Sequence, residues 1–230
     1  MNVVTYFDAQ AKTFANAYGQ AADFRARYAL WTELIDRYAS RRFARSCIDL
    51  GCGPGLFSFY AAECGLTTVG LDASSRMLEL CEAEKARRRL TNIQFMQGSL
   101  PLLDPAGLEP ADLILCSSVL EYVEHWERTV SGIYRLMNLG GHFLVSLPNG
   151  QSVYRHYEKW KFRLTGQPAY YRHVRHLLSV DAAIRWFERF GLACREYHFY
   201  GDEPWLSRLA ACALPERFYK NLYVLVLARK

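Results

Sequence analysis

No run of about 18 or more apolar residues, the length a helix needs to span a bilayer, occurs in this 230-residue chain. Hydrophobic residues still make up 51% of it, so they are dispersed, as in a chain that buries one sizeable core. The opening stretch, Met1 to Asp8, lacks the basic segment and apolar core of a secretion signal, and the expected location is the cytoplasm. Cys47, Cys52, Cys64, Cys81, Cys116, Cys194 and Cys212 include no C-x-x-C pair, and no histidine stands at zinc-ligand spacing from them. Reduced, mostly buried thiols and no metal site are expected. Acidic residues are only slightly outnumbered, 23 against 28 Lys and Arg, and that excess selects no partner by itself.

What is present centres on Ile48-Asp49-Leu50-Gly51-Cys52-Gly53-Pro54-Gly55. Ser46 to Leu50 is short and mostly apolar, as in a buried strand, and Leu56 to Ala62 follows at helical spacing. The glycines between them allow positive φ and close approach of a ligand to the backbone. Two nucleotide motifs are missing. The third glycine of G-x-G-x-x-G is replaced by Leu56, and no Gly-Lys-Ser or Gly-Lys-Thr follows. Thr67 to Asp72 reads as a second strand ending in a carboxylate, which suits the two hydroxyls of a ribose. A glycine turn of purely structural use is the competing reading, and Asp72 argues against it.

The order Asp49-x-Gly51-x-Gly53-x-Gly55, then Asp72, resembles the class I S-adenosylmethionine (SAM)-dependent methyltransferases. The resemblance covers residues 45 to 147. It implies an α/β fold, a Rossmann-like, doubly wound, seven-stranded and mostly parallel sheet with its last strand reversed. It also implies SAM as cofactor and S-adenosylhomocysteine (SAH) as product. Asp49, Gly51, Cys52 and Gly53 would form the turn beneath the cofactor, with Asp72 and Ala73 at the ribose. Gly98, Ser99 and Leu100 would lie near the adenine, and Cys116 and Ser117 would face the methyl-bearing side. Ser99 stands where the family commonly has an aspartate. Met77 can lie against the adenine or simply fill core.

Around this centre the chain alternates. Residues 6 to 40 look helical, with aromatic stripes through Phe7, Phe14 and Tyr18 and then Phe24, Tyr28, Trp31 and Tyr38, broken near Gly19. Residues 1 to 43 would be an N-terminal arm over the cofactor, in which Tyr18, and less directly Arg25 or Arg27, would touch it. A helix should start within Ala73 to Leu78, capped by Ser74 or Ser75, and run to about Arg89, its terminal Lys85, Arg87, Arg88 and Arg89 explained by the helix dipole. Strands are expected at Asn92 to Gln97, Ala111 to Cys116, His142 to Leu147, Ala193 to Phe199 and Leu222 to Ala228. Helices are expected from Trp126 to Asn138, stopped by Leu139-Gly140-Gly141, and from Val180 to Phe190.

Residues 151 to 178 interrupt the alternation within the 44 to 230 domain. Six aromatics and six cations share this insert with one acid, Glu158. Three readings stand: a cap over a small acceptor, a solvated lid, or a segment touching an anionic membrane.

The post-strand segment Cys116-Ser117-Ser118-Val119 differs from the motifs of base-amine and cytosine-C5 methylases. Many small-molecule relatives carry a histidine where Tyr122 stands, so His125, His156, His173 and His176 are the alternative proton acceptors, His173 and His125 foremost, and Tyr122 could orient a hydroxyl. His173 and His176 would share a face if their stretch is helical. The resulting expectation is methyl transfer to a small molecule, foremost to a hydroxyl of an aromatic, polyene or acyl metabolite that is carboxylated or carrier-bound. Nitrogen or carboxyl methylation is the near alternative; an RNA methyltransferase and an inactive SAM-binding scaffold are the remote ones. No nucleic-acid partner is expected, and the chain would act as a monomer or homodimer.

Overall fold

A computed structural model describes residues 3–20, 22–40, 44–102, 107–201 and 205–229, without the side chains of 12–24, 205, 206 and 208. The strands are β1 (Ser46–Leu50), β2 (Thr67–Asp72), β3 (Ile93–Gln97), β4 (Ala111–Ser117), β5 (Met137–Pro148), β6 (Leu192–Tyr200) and β7 (Leu222–Arg229). They form one seven-stranded sheet in the order β3-β2-β1-β4-β5-β7-β6. β1 runs parallel to both β2 and β4, while β7 runs antiparallel to β5 and β6. The sheet is therefore mostly parallel with a reversed last strand, as the resemblance implied. The strand order turns back between β1 and β4, and a crevice opens at the carboxyl ends of strands at such a switch point.

The helices cover both sheet faces: α1 (Val3–Gln20), α2 (Ala22–Ser40), α3 (Leu56–Glu63), α4 (Ser75–Arg88), α5 (Trp126–Arg135), α6 (Val153–Thr165), α7 (Val180–Glu188), α8 (Trp205–Ala211) and α9 (Glu216–Tyr219). Strand side chains alternate, and the two cores follow that period. Ile114, Cys116, Leu225 and Leu227 join Trp126, Val130, Ile133 and Phe187 on one face. Leu113, Leu115, Val224 and Val226 join Trp31, Leu34, Ile35, Tyr38 and Phe57 on the other. Truncating one such buried leucine to alanine costs about 2–5 kcal/mol. The buried stripe of α2 is thus built into the sheet's core. Polar contacts extend that attachment to β6, where Glu196 accepts from Arg37 at 2.6 Å and from Tyr38 at 2.5 Å.

Boundaries moved where tertiary contacts overrode local preference. α1 continues through Gly19 to Gln20, since one glycine costs a helix only about 1 kcal/mol. α5 stops at Arg135, and Gly140 and Gly141 lie inside β5 rather than at a helix end. There β5 is already paired, Met137 opposite Ala111, with an irregular register between Ala111 and Leu113. The Asn138 amide donates to Asp112 at 2.8 Å, and a Cβ on Gly141 would sit 3.0 Å from the Asn138 carbonyl oxygen. The glycines let the chain pass that crowded irregularity. The short helices α8 and α9 were not anticipated.

Candidate active site

β1 delivers the chain into a turn where Gly51, Gly53 and Gly55 all have positive φ, 70°, 55° and 81°. The turn is fastened to β2, because the N–H groups of Gly51 and Cys52 both donate to the Leu71 carbonyl, at 2.7 and 3.0 Å. At Gly51 a Cβ would come within 2.4 Å of Val119, so only glycine lets the turn and the segment after β4 meet. At Gly53 a Cβ would meet nothing within 4 Å, leaving the backbone approachable from that side. Cys52 and Cys81 are buried beside the turn, and the Cys81 thiol lies 3.2 Å from the Gly53 carbonyl oxygen.

Asp72 faces this turn. Its Oδ2 accepts from the Gly53 N–H and its Oδ1 from the Ser74 N–H, both at 2.8 Å. Burial raises its pKa while these N–H groups pull it back. A carboxylate so held keeps lone pairs for further donors, as two ribose hydroxyls would be. Ser74 caps α4 by accepting from the Met77 N–H at 3.1 Å, and its hydroxyl donates to Asp8 of α1. Ala73 accepts from the Gln97 amide at 3.3 Å. Met77 is buried beneath this junction.

Asp49 is buried under the turn and accepts from the Ser58 hydroxyl at 2.6 Å. Burial pushes its pKa up to about 7, against the pull of Ser58. After β3, the Gly98 N–H donates to the Asp72 carbonyl at 3.0 Å, Leu100 packs on the sheet's core, and the Ser99 side chain is exposed.

The turn after β4 carries the other half of the site. Cys116 is wholly buried, and burial keeps its thiol protonated. The Arg27 guanidinium donates to the Ser117 hydroxyl at 2.5 Å and its carbonyl at 3.2 Å. Ser118 has φ 58° and donates its N–H to the Ser146 hydroxyl at 3.0 Å. A 3-10 turn over Leu120–Tyr122 follows, and the Tyr122 ring lies 5.3 Å from that of Phe7. Glu121 in this turn is 3% exposed, and its Oε2 has no hydrogen-bond partner among the described residues. Burial raises its carboxyl to about 7, although its own N–H, Arg155 and Arg27 favour the ionised form.

The insert folds as α6 and a 3-10 turn, Ala169–His173. Its one acid, Glu158, is buried, paired with Arg155 at 2.6 Å and accepting from the Tyr170 hydroxyl. Arg155 also donates to the Asn221 carbonyl at 3.2 Å, and the Arg175 N–H donates to the Glu121 carbonyl at 2.8 Å.

The histidines part company here. His173 ends the 3-10 turn, its ring 5.7 Å from that of Tyr6, with Nε2 buried and without a hydrogen-bond partner among the described residues. Burial, then neighbouring cations, lower its pKa. His176 lies beyond that turn and does not share a face with His173: it stacks on Trp126 at 4.1 Å and meets the Val123 carbonyl at 2.9 Å. His125 is exposed and lines a surface cleft of about 490 Å³ with Trp126, His176 and Trp186. His156 is exposed on α6, and Arg25 is exposed on α2. The side chain of Tyr18 lies outside the described residues. The basic cluster of α4 pairs locally, Arg87 with Glu84 and Arg88 with Glu84 and Glu63. No group of three or more His, Cys, Asp or Glu side chains that could hold a metal ion occurs among the described residues.

Asp8, Glu121 and Arg155 were not singled out for these roles from sequence, whereas Ser74 was one of two serines expected to cap the helix, as it does. Glu121 had a legible sign, a lone acid inside the apolar run Val119-Leu120-Glu121-Tyr122-Val123.

Residues 23–197 match a family model described as a methyltransferase domain. Trans-aconitate 2-methyltransferase of Methylobacterium nodulans is 31% identical over 158 residues, 68% of this chain and 57% of the relative. Malonyl-[acyl-carrier protein] O-methyltransferase of Enterobacter lignolyticus is 31% identical over 108 residues, 47% of this chain and 40% of the relative. The matched stretches thus span about half the length of these curated relatives. Magnesium protoporphyrin IX methyltransferase from Synechocystis PCC 6803, solved with bound SAH, superposes with a TM-score of 0.73 at 16% identity, covering 99% of this chain and 98% of that one. At that identity it speaks for the fold alone. The family match covers most of the chain, which therefore belongs to the methyltransferase-domain family, in its class I, S-adenosylmethionine-dependent branch.

Proposed function

We propose that the chain transfers the methyl group of SAM to a hydroxyl of a small molecule held between the glycine turn and the α6 lid. The observation that carries the cofactor site is the Asp72 carboxylate, bonded at 2.8 Å to the Gly53 N–H of a turn whose other side is open. These residues fit SAM: Asp72 for the ribose, the Gly51 and Gly53 backbone for the amino-acid portion, and the ionised form of Asp49 for the cofactor's positive charge. SAM supplies a methyl on a sulfonium, already a good leaving group, so the protein's share is alignment and removal of the acceptor's proton.

Glu121 is placed for that proton. Its partnerless oxygen would accept a hydrogen bond from the acceptor hydroxyl, and a carboxyl titrating near neutrality is suited to take the proton as the oxygen attacks. Arg155 and Arg27, whose charges already favour the ionised acid, would hold it or a carboxylate on the acceptor. Tyr122 would orient the hydroxyl, and His173 would stand behind the Tyr6 edge as a second proton acceptor. The cofactor contacts of Cys52, Ala73, Met77, Gly98, Ser99, Leu100, Cys116 and Ser117 belong to the same proposal. The relatives' names, an O-methyltransferase of a carrier-bound acyl group among them, support oxygen as the acceptor atom.

Calorimetry with SAH tests the cofactor site. Asp72→Ala is expected to weaken binding by at least about 1 kcal/mol, since a charged hydrogen-bond acceptor is lost; a wild-type chain without affinity for SAH ends the reading. SAH release from a panel of phenols, hydroxy acids, amines and carboxylates tests the chemistry. Glu121→Gln is expected to slow hydroxyl acceptors about 10²–10⁴-fold while SAH affinity holds.

A further inference from the structure

The inner face of α6 is spent on Arg155, Glu158 and Phe162, and its outer face, half-buried at Val153 and Tyr157, is exposed at Trp160 and Leu164. Val153, Tyr157, Trp160 and Leu164 fall at helical spacing along one outer stripe. The Tyr157 and Trp160 rings on it lie 6.4 Å apart, and Tyr154 at its flank lies 6.0 Å from Tyr157. Trp160 is 60% exposed and Leu164 66%. Cations flank the stripe on both sides, Lys159 and Arg163 on one and Lys161 on the other, all exposed. The helix's one acid, Glu158, is turned inward and already paired. The helix α8 packs on α6 and carries Leu209, 62% exposed, with Leu214, 39% exposed, following it in the chain.

We propose that this face of α6 docks on an anionic lipid surface, joined there by the exposed Leu209 and Leu214. The occupant follows from the arrangement of charge. A protein partner would need acids matched to three separate cations around a projecting apolar ridge. A bilayer meets both needs at once: Trp and Leu enter the boundary of headgroups and acyl chains, Tyr stays at headgroup level, and Lys and Arg stems extend sideways to the phosphates. A 13-residue helix is about 20 Å long, and it lies in the plane of the interface rather than across it. Among the described residues no helix is long and apolar enough to cross a membrane. On the proposed reading in which the opposite face of α6 caps the crevice, docking sets the acceptor's entrance against the lipid. The docking itself does not depend on which acceptor is methylated.

Co-sedimentation of the full chain with vesicles tests this. The chain is expected to pellet with vesicles of phosphatidylcholine mixed with phosphatidylglycerol, and far less with phosphatidylcholine alone. Added salt should release it. Trp160→Glu and Leu164→Glu should each reduce binding about tenfold or more, and Lys159→Glu or Lys161→Glu about fivefold or more per site. All four side chains are exposed, so SAH affinity by calorimetry should not change. Absence of binding, equal binding to the uncharged vesicles, or variants that bind like wild type would overturn the proposal. So would capture by an acidic carrier protein that the same variants abolish while vesicle binding persists.

Discussion

The Asp8 carboxylate of α1 accepts a hydrogen bond from the Ser74 hydroxyl, 66 residues further along the chain. Ser74 in turn donates its N–H to Asp72. The first helix is thereby latched to the carboxylate proposed to hold the ribose. Phe7 against Tyr122 and Tyr6 against His173 carry the same helix across to the acceptor side. Asp8→Ala removes the latch without touching either core cluster. The expected result is several-fold faster SAH dissociation in stopped flow, with stability in urea changed by less than about 1 kcal/mol. Unchanged dissociation would show that α1 does not gate the cofactor.

Gly51 and Val119 make a second relation that can be tested. Gly51→Ala meets two separable penalties: a left-handed backbone at φ 70°, worth about 1–2 kcal/mol for a residue with a Cβ, and a contact 2.4 Å from the Val119 side chain. Val119→Ala removes the steric part alone. The double variant is therefore expected to be more stable than the sum of the two single losses predicts, by about 1 kcal/mol or more in denaturant titrations. It should still fall short of Val119→Ala alone by the backbone penalty. Simple additivity would mean that the two segments do not press on one another.

These relations also mark what could be read in advance. The glycine turn, the acid at 72 and the parallel strands were legible because each is a local pattern: an apolar run, a turn residue, a period of two. The reversal of β7 came from the resemblance alone, and pairing with β5 and β6 now shows it. Asp8 to Ser74 and Arg27 to Ser117 had no local sign, because each joins residues far apart in sequence by a bond of single side chains. The end of α5 was misplaced for a related reason. Gly140 and Gly141 resemble helix punctuation, but β4 pairing and the Asp112 side chain had already recruited Met137 and Asn138. His176 was one of the candidate proton acceptors beside the aromatic cluster, and the fold engages it between Trp126 and Val123.

Asp49 ties stability and cofactor binding to pH. Burial raises its carboxyl from an ordinary 3.8 to about 7, so the folded chain holds a proton that the unfolded chain releases. The group's contribution is fully present below its unfolded pKa and is lost as pH rises through about 7, by about 4 kcal/mol at most. Glu121, raised to about 7 by burial, adds in the same direction. Melting temperature without ligand should therefore fall between about pH 4 and pH 7, and Asp49→Asn should flatten part of that fall. Binding of the positively charged cofactor works the other way, since it favours the ionised carboxylate. SAM affinity is expected to rise over the same range, with proton release seen as a dependence of the calorimetric heat on the buffer's ionisation enthalpy. Asp49→Asn should remove that dependence, whereas Ser58→Ala, which deletes the 2.6 Å donor to the ionised form, should push the midpoint higher. A SAM affinity independent of pH in the wild-type chain would place the cofactor's charge away from Asp49.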